Sequence, residues 1–359
     1  MPLSWLIANA GPAIRYRLAT DVFPGTLTPE QLAALRTEIE GLAAVRQVVK
    51  KQKDTGVWGG NLLGVAPNKT AGIKDVGTIP QFRHLVELGL HQDFRALKLA
   101  SRQLFRMLSR DPDPKLLFEY EKYGAAEFGA EPWIREVLRE AAAAALAHGG
   151  YSDDPRVRGA AHKIANNVSA FLRSETAASP FVKSGRVWIL DPAAYPPTIF
   201  SLTLLAYLPA VQRERAGLME RLGNYLAAPP SKKAFTVTAG KKSLKPTFLL
   251  LGDPLHVSAA GVPDDLPFAL HWAELLVRIG ALQLSPSFQK FWPRLLRDCD
   301  SSGVWHPKGL RGLPKSDSPW ASHAFPLETD TKRVEARQTD VTFRMALIAR
   351  LAGWELIRS

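Results

Sequence analysis

The chain has a single cysteine, Cys299, in 359 residues. That excludes an intrachain disulfide framework and any zinc site built on several thiolates. No apolar run comes near the roughly 18 residues that cross a bilayer. There is no Gly-rich phosphate loop and no Ser-centred nucleophile elbow. The low hydrophobicity of disordered chains is also missing, since 46% of the residues are apolar. No basic residue precedes the apolar N-terminal stretch, and Pro2, Ser4 and Asn9 interrupt it. Such a start is unlike an export signal and predicts a cytoplasmic protein, with contact to a membrane surface open to it.

Acid is in short supply. Forty-six Lys and Arg face 34 Asp and Glu, a formal net charge of +12. Six basic residues and no acid lie in 221–252: Arg221, Lys232, Lys233, Lys241, Lys242 and Lys245. The paired lysines bracket 234–240, which reads as a short hairpin. Such a segment suits an anionic partner such as diphosphate, nucleic acid or anionic lipid. Its plainer reading is a solvated loop that keeps the protein soluble.

Helical periodicity dominates what is present. Thr28-Pro29-Glu30-Gln31 carries a Thr N-cap, a Pro in the first turn and a Gln three residues after the Thr. Further helices fall into pairs: 80–88 with 93–109, 132–148 with 155–174, 197–208 with 213–227, and 267–279 with 287–298. A last helix is expected over 341–354. Asp154 and Asp265 stand where N-caps belong, and Asp111-Pro112-Asp113 reads as a helix-stop turn. Long connections over 175–196, 228–266 and 299–340 hold much of the Pro and Trp. Their aromatics predict packed loops, some with short strands such as 235–238. Strand signals are too few for an α/β sheet, so the expectation is an all-α chain of about five helix pairs.

Gln52-Lys53-Asp54-Thr55-Gly56-Val57-Trp58 follows a helix. Asp300-Ser301-Ser302-Gly303-Val304-Trp305 repeats its end, with Cys299 where Gln would stand. This resembles the repeat of the terpenoid cyclase and protein prenyltransferase superfamily. The opening, Trp5-Leu6-Ile7 through Pro12-Ala13-Ile14-Arg15-Tyr16-Arg17, is similar to the start of bacterial squalene-cyclase-like proteins, a group mostly without assigned activity. The resemblance implies a single α/α toroid over 1–359, with helices in 1–60 leading into the ring. It also implies that the Gln caps a helix end, that the Trp stacks in the following turn, and that an apolar, isoprenoid-like ligand with an anionic head occupies a central cavity.

The residues for such chemistry are sparse. A protonation-initiated cyclase needs clustered carboxyl groups, and no Asp, any residue, Asp, Asp cluster exists. Asp298, Asp300 and Asp330 are the candidate catalytic carboxylates. Trp272, Trp305, His306, Trp320, His323, Arg311 and Arg333, with Lys232, Lys233, Lys241 and Lys242, are the candidate ligand-binding residues. No recognised zinc spacing occurs; Cys299 and His306 are the residues a metal would use. No cofactor is implied. Tyr195, Phe200, Tyr207, Trp272 and Trp292 could line a cavity, although aromatics at helical spacing are commonly core. Two other functions stay open: a scaffold or binding module for an acidic partner, and a basic helical-repeat surface for nucleic acid. No groove-reading motif supports the last, and the lysines of 221–252 are not interleaved with exposed helix positions.

Overall fold

The computed structural model describes residues 2–64, 76–109, 129 and 131–355. The segment 111–113 lies outside them, as does the side chain of Lys242. The first helices are α1 (Leu3–Asn9), α2 (Pro12–Arg17), α3 (Pro29–Glu40), α4 (Ala43–Lys50), α5 (Thr78–Glu87) and α6 (Arg95–Met107). A π-helical turn, Leu18–Val22, extends α2. Next come α7 (Glu131–His148), α8 (Pro155–Leu172), α9 (Ile199–Ala206), α10 (Pro209–Glu214) and α11 (Ala216–Ala227). The last are α12 (Leu266–Arg278), α13 (Pro286–Arg297) and α14 (Val334–Leu351). The strands are β1 (Phe181–Ser184), β2 (Val187–Leu190), β3 (Phe235–Ala239) and β4 (Lys242–Leu244).

The chain divides into two compact units. One comprises Met1–Lys50, His84–Leu90 and Leu255–Ser359; the other comprises Lys51–Arg83 and His91–Pro254. In the first, α12 packs on α14, and α3 packs on α2. Its α3 begins as its sequence dictates. The Gln31 amide donates to the Thr28 hydroxyl at 3.3 Å, and the Thr28 amide donates back to the Gln31 side chain at 2.8 Å. A reciprocal cap of this kind contributes about 1 kcal/mol.

The second unit holds α7 against α6, α8 and α9, together with a sheet of order β1-β2-β3-β4. The outer pairs are antiparallel hairpins, and β2 and β3 run parallel. The register places Phe181 opposite Leu190, Trp188 opposite Phe235, and Val237 opposite Leu244. Each hairpin turns on a glycine followed by a basic residue, Gly185-Arg186 and Gly240-Lys241. Both glycines have positive φ, as a two-residue primed turn requires.

The all-α chain expected from the helix-pair rhythm, and the α/α toroid that the resemblance implies, are therefore corrected. The protein is about 53% helical and carries a four-stranded mixed sheet, so it is an α/β mix. The sheet is built from the connections 175–196 and 228–266. Phe181, Leu190 and Val237 from its strands join Phe171 and Ala194 in a hydrophobic cluster. Burying that face is what converts these loops into strands.

The related segments around Trp58 and Trp305 do fold alike. Gln52 pairs with Trp58 in one, and Cys299 with Trp305 in the other. Lys53 donates to the Val57 carbonyl at 2.9 Å, and Asp300 to the Val304 carbonyl at 3.0 Å. Both Trp amides donate to a threonine hydroxyl at 3.1 Å, Thr78 and Thr342 respectively. The two turns are closed differently. Gln52 donates to the Gly56 carbonyl at 2.9 Å and to the Ala96 carbonyl of α6 at 2.8 Å. Where Cys299 replaces Gln, the Asp300 carboxylate instead accepts from the Ser302 and Val304 amides, at 2.9 and 3.0 Å. Gln52 thus ties its loop to α6 rather than capping the helix before it. Both Trp side chains are buried.

Candidate functional site

The sequence of α7 contains Glu140 followed by five alanines, Ala141–Ala145. Those alanines are buried, and their small side chains let α9 approach closely. Glu140 enters the same enclosed surface and is itself buried. Its carboxyl accepts a hydrogen bond from the Tyr195 hydroxyl and another, at 2.7 Å, from the Thr198 hydroxyl. The Thr198 hydroxyl in turn accepts from the Ser201 amide at 2.9 Å, forming the N-cap of α9. A structural cap and the candidate acid therefore share one hydroxyl.

Two hydrogen bonds do not replace the water that a carboxylate loses on burial. Desolvation pushes the Glu140 carboxyl from its ordinary 4.5 up to about 7, against the opposing effect of Tyr195 and Thr198. Burial, and then the negative charge of Glu140, push the Tyr195 phenol well above its usual value. The site pairs a phenol that stays protonated with a carboxyl that exchanges its proton near neutrality.

Glu140 forms part of the wall of a cavity of about 400 Å³. Trp133, Tyr195 and Phe248 supply rings, with Trp133 and Phe248 centroids 5.7 Å apart. Val137, Leu190 and Val237 complete the apolar surface. The ionisable lining, among the described residues, is Glu136, Glu140, Asp191 and Tyr195, without Lys or Arg. The lining thus combines an apolar surface with carboxyl groups and offers no cation to an anionic ligand.

The residues expected from the sequence fall elsewhere. Asp298 pairs with Arg294 at 2.5 Å, one helical turn away. Asp300 closes its own turn; partial burial opposes its ionisation, but hydrogen bonds from Ser302 and the following amides hold its carboxyl below the usual range. Asp330 is held low by the Arg337 guanidinium, 2.9 Å away. Each is satisfied locally, as a structural carboxylate is. Burial, followed by Asp300 and Asp298, pushes the Cys299 thiol up to about 11, so it is not a ready thiolate ligand. His306 bonds Gln338 at 2.5 Å. Among the described residues no group of three or more His, Cys, Asp or Glu could hold a metal ion.

The ligand-binding candidates divide between the units. Trp272 and Trp305 are core residues of the first. The His323 ring is buried edge-on to His271 at 5.2 Å, Trp320 is half-buried, and Arg311 is exposed. Arg333 is exposed at the start of α14 and reaches Asn9 at 3.3 Å. The lysines belong to the second unit. Lys232 and Lys241 are exposed, Lys242 lies on β4, and the Lys233 ammonium sits 4.1 Å over the Trp188 ring. None of these residues lines the Glu140 cavity.

The first unit holds a buried ionic network whose members come from distant parts of the sequence. Asp21, Arg17, Glu87, Arg344, Glu274 and Arg278 alternate in charge along one chain of contacts. Arg344 lies 2.5 Å from both Glu87 and Glu274. Burial disfavours the Glu274 charge, but Arg344 and Arg278 override it and hold the carboxylate ionised. Every carboxylate here has an Arg partner, whereas Glu140 has only hydroxyls. That contrast marks the first as structural and the second as the candidate reactive group. Among the described residues no helix is long and apolar enough to cross a membrane. Comparisons with protein-family models, with curated proteins and with solved structures give no match.

Proposed function

We propose that the cavity beside Glu140 binds an apolar small molecule whose polar end is neutral or cationic. The observation that carries this is the meeting of three aromatic rings with a buried, hydroxyl-bonded carboxyl in about 400 Å³. Ligand pockets commonly have this size and this sparse polar lining. An isoprenoid-like hydrocarbon body suits the rings. An anionic head does not suit a wall carrying Glu136, Glu140 and Asp191. A protonated amine would be favoured by those carboxylates and by the ring faces. Glu140, with its pKa raised to about 7, is the group that would take or return a proton to the ligand.

The test is calorimetric titration with an alkylamine, an alkanol and an alkanoate of equal chain length. The amine and alcohol are expected to bind more tightly than the carboxylate. Ala194→Phe, which places a ring in the cavity wall, should abolish binding, with circular dichroism checking that the fold persists. Tightest binding by the carboxylate, or full affinity in the Ala194→Phe protein, would overturn the proposal.

A further inference from the structure

A different part of the second unit carries a separate inference. Helix α6 is amphipathic, with Leu97, Ala100, Leu104 and Met107 buried. Its exposed positions are Arg95, Lys98, Arg102 and Arg106, and the helix contains no acid. Among the described residues no carboxylate lies within ion-pair distance of these four cations. Lys98, Arg102 and Arg106 stand one turn apart, a rise of about 6 Å per step. They line an open trough of about 980 Å³.

Tyr151 and Arg156 also line the trough. The Arg156 guanidinium lies 3.8 Å over the Phe105 ring, and that ring meets Tyr151 edge-on at 5.2 Å. Asp154 grips the guanidinium twice, at 3.0 and 2.8 Å, and fixes its plane. The Arg156 side chain is still 59% exposed. A guanidinium plane backed by a ring and still largely exposed is a stacking platform for a nucleobase.

We infer that this trough binds single-stranded nucleic acid, the phosphates following Lys98, Arg102 and Arg106 and a base stacking on Arg156. The repeat of the cations along the helix is comparable to the phosphate step of a strand. A planar bilayer cannot enter a trough, and a duplex keeps its bases stacked away from Arg156. An acidic protein surface would use the charges but would leave the platform empty.

The experiment is fluorescence anisotropy of the full chain with a short labelled oligothymidylate. Three phosphate contacts give a salt slope of about −2.1, so affinity should fall about 20-fold between about 50 and 200 mM salt. R102E/R106E should lose at least about tenfold, and the neutral R102Q/R106Q should lose less but in the same direction. K232E/K241E carries the same charge change on the other basic segment and should stay within about twofold of the parent. R156K keeps the charge and loses the plane; a fall of about fivefold or more is expected. Circular dichroism confirms that each variant is folded. Equal losses in both charge-reversed proteins, an R156K protein with parental affinity, tighter binding of a duplex of equal length, or displacement of the oligonucleotide by phosphatidylserine vesicles would each overturn the inference.

Discussion

Replacing Glu140 with Gln keeps the shape of the side chain and removes its titration. The amide still offers an oxygen and a nitrogen to the Tyr195 and Thr198 hydroxyls. In the folded protein the carboxyl titrates near 7; unfolded, it returns to its ordinary 4.5. The folded state therefore holds the proton more tightly. Unfolding releases a proton between those two values, and the parent loses stability as pH rises through that window. The full penalty above both values is on the order of 3 kcal/mol. Between about pH 5 and about pH 8.5 it amounts to about 2.5 kcal/mol. Burial also raises Glu328 to about 7 and Asp340 to about 6, so the parent's total pH dependence has other sources. The difference between parent and variant isolates Glu140. Urea denaturation of both proteins across that range should show the Gln variant gaining about 2.5 kcal/mol on the parent as pH rises. A constant difference across the range would refute the reasoning, because Glu140 would then titrate alike in the folded and unfolded chain.

Two further outcomes follow from the packing. Gly56 and Gly303 occupy equivalent turns with φ of 91° and 88°, yet a Cβ at Gly56 would stand 2.6 Å from the Leu99 carbonyl oxygen, while at Gly303 the nearest atom is 3.5 Å away. Gly303→Ala should cost about 1–2 kcal/mol from backbone strain alone, and Gly56→Ala distinctly more, by thermal denaturation; equal costs would contradict this. Arg344→Met leaves Glu87 and Glu274 buried without their shared partner and should cost about 3–5 kcal/mol in the same assay, a loss under about 1 kcal/mol being the contrary result.

What the sequence disclosed follows local rules. The Thr28 cap and the Asp154 and Asp265 caps depend on neighbours a few residues away, and the structure has them. Strands β1 and β2 carry no alternation of their own in the sequence: each has four residues, and β1 buries only Phe181. Helix α14 starts at Val334 rather than near 341. Its first turns, with Glu335, Arg337, Gln338 and Asp340, read as a polar loop. Asp340 is in fact buried, accepting from the Leu327 and Glu328 amides at 3.0 and 3.2 Å. Tyr195 was among the aromatics that could line a cavity, and it does line one. Glu140 gave one faint signal, a lone acid opening a run of alanines. Its partners lie 55 and 58 residues further along the chain. The cations of α6 were hidden because they are spaced by turns instead of forming a run.

The cavity beside Glu140 is proposed as a site for an apolar ligand with a neutral or cationic end. A crystal structure of the protein soaked with a linear alkylamine tests it most directly. Electron density is expected for the alkyl chain along the surface formed by the Trp133 and Phe248 rings, with the nitrogen within hydrogen-bond distance of Glu140. A cavity left without ligand density at saturating amine, or density confined to other surfaces, would contradict it.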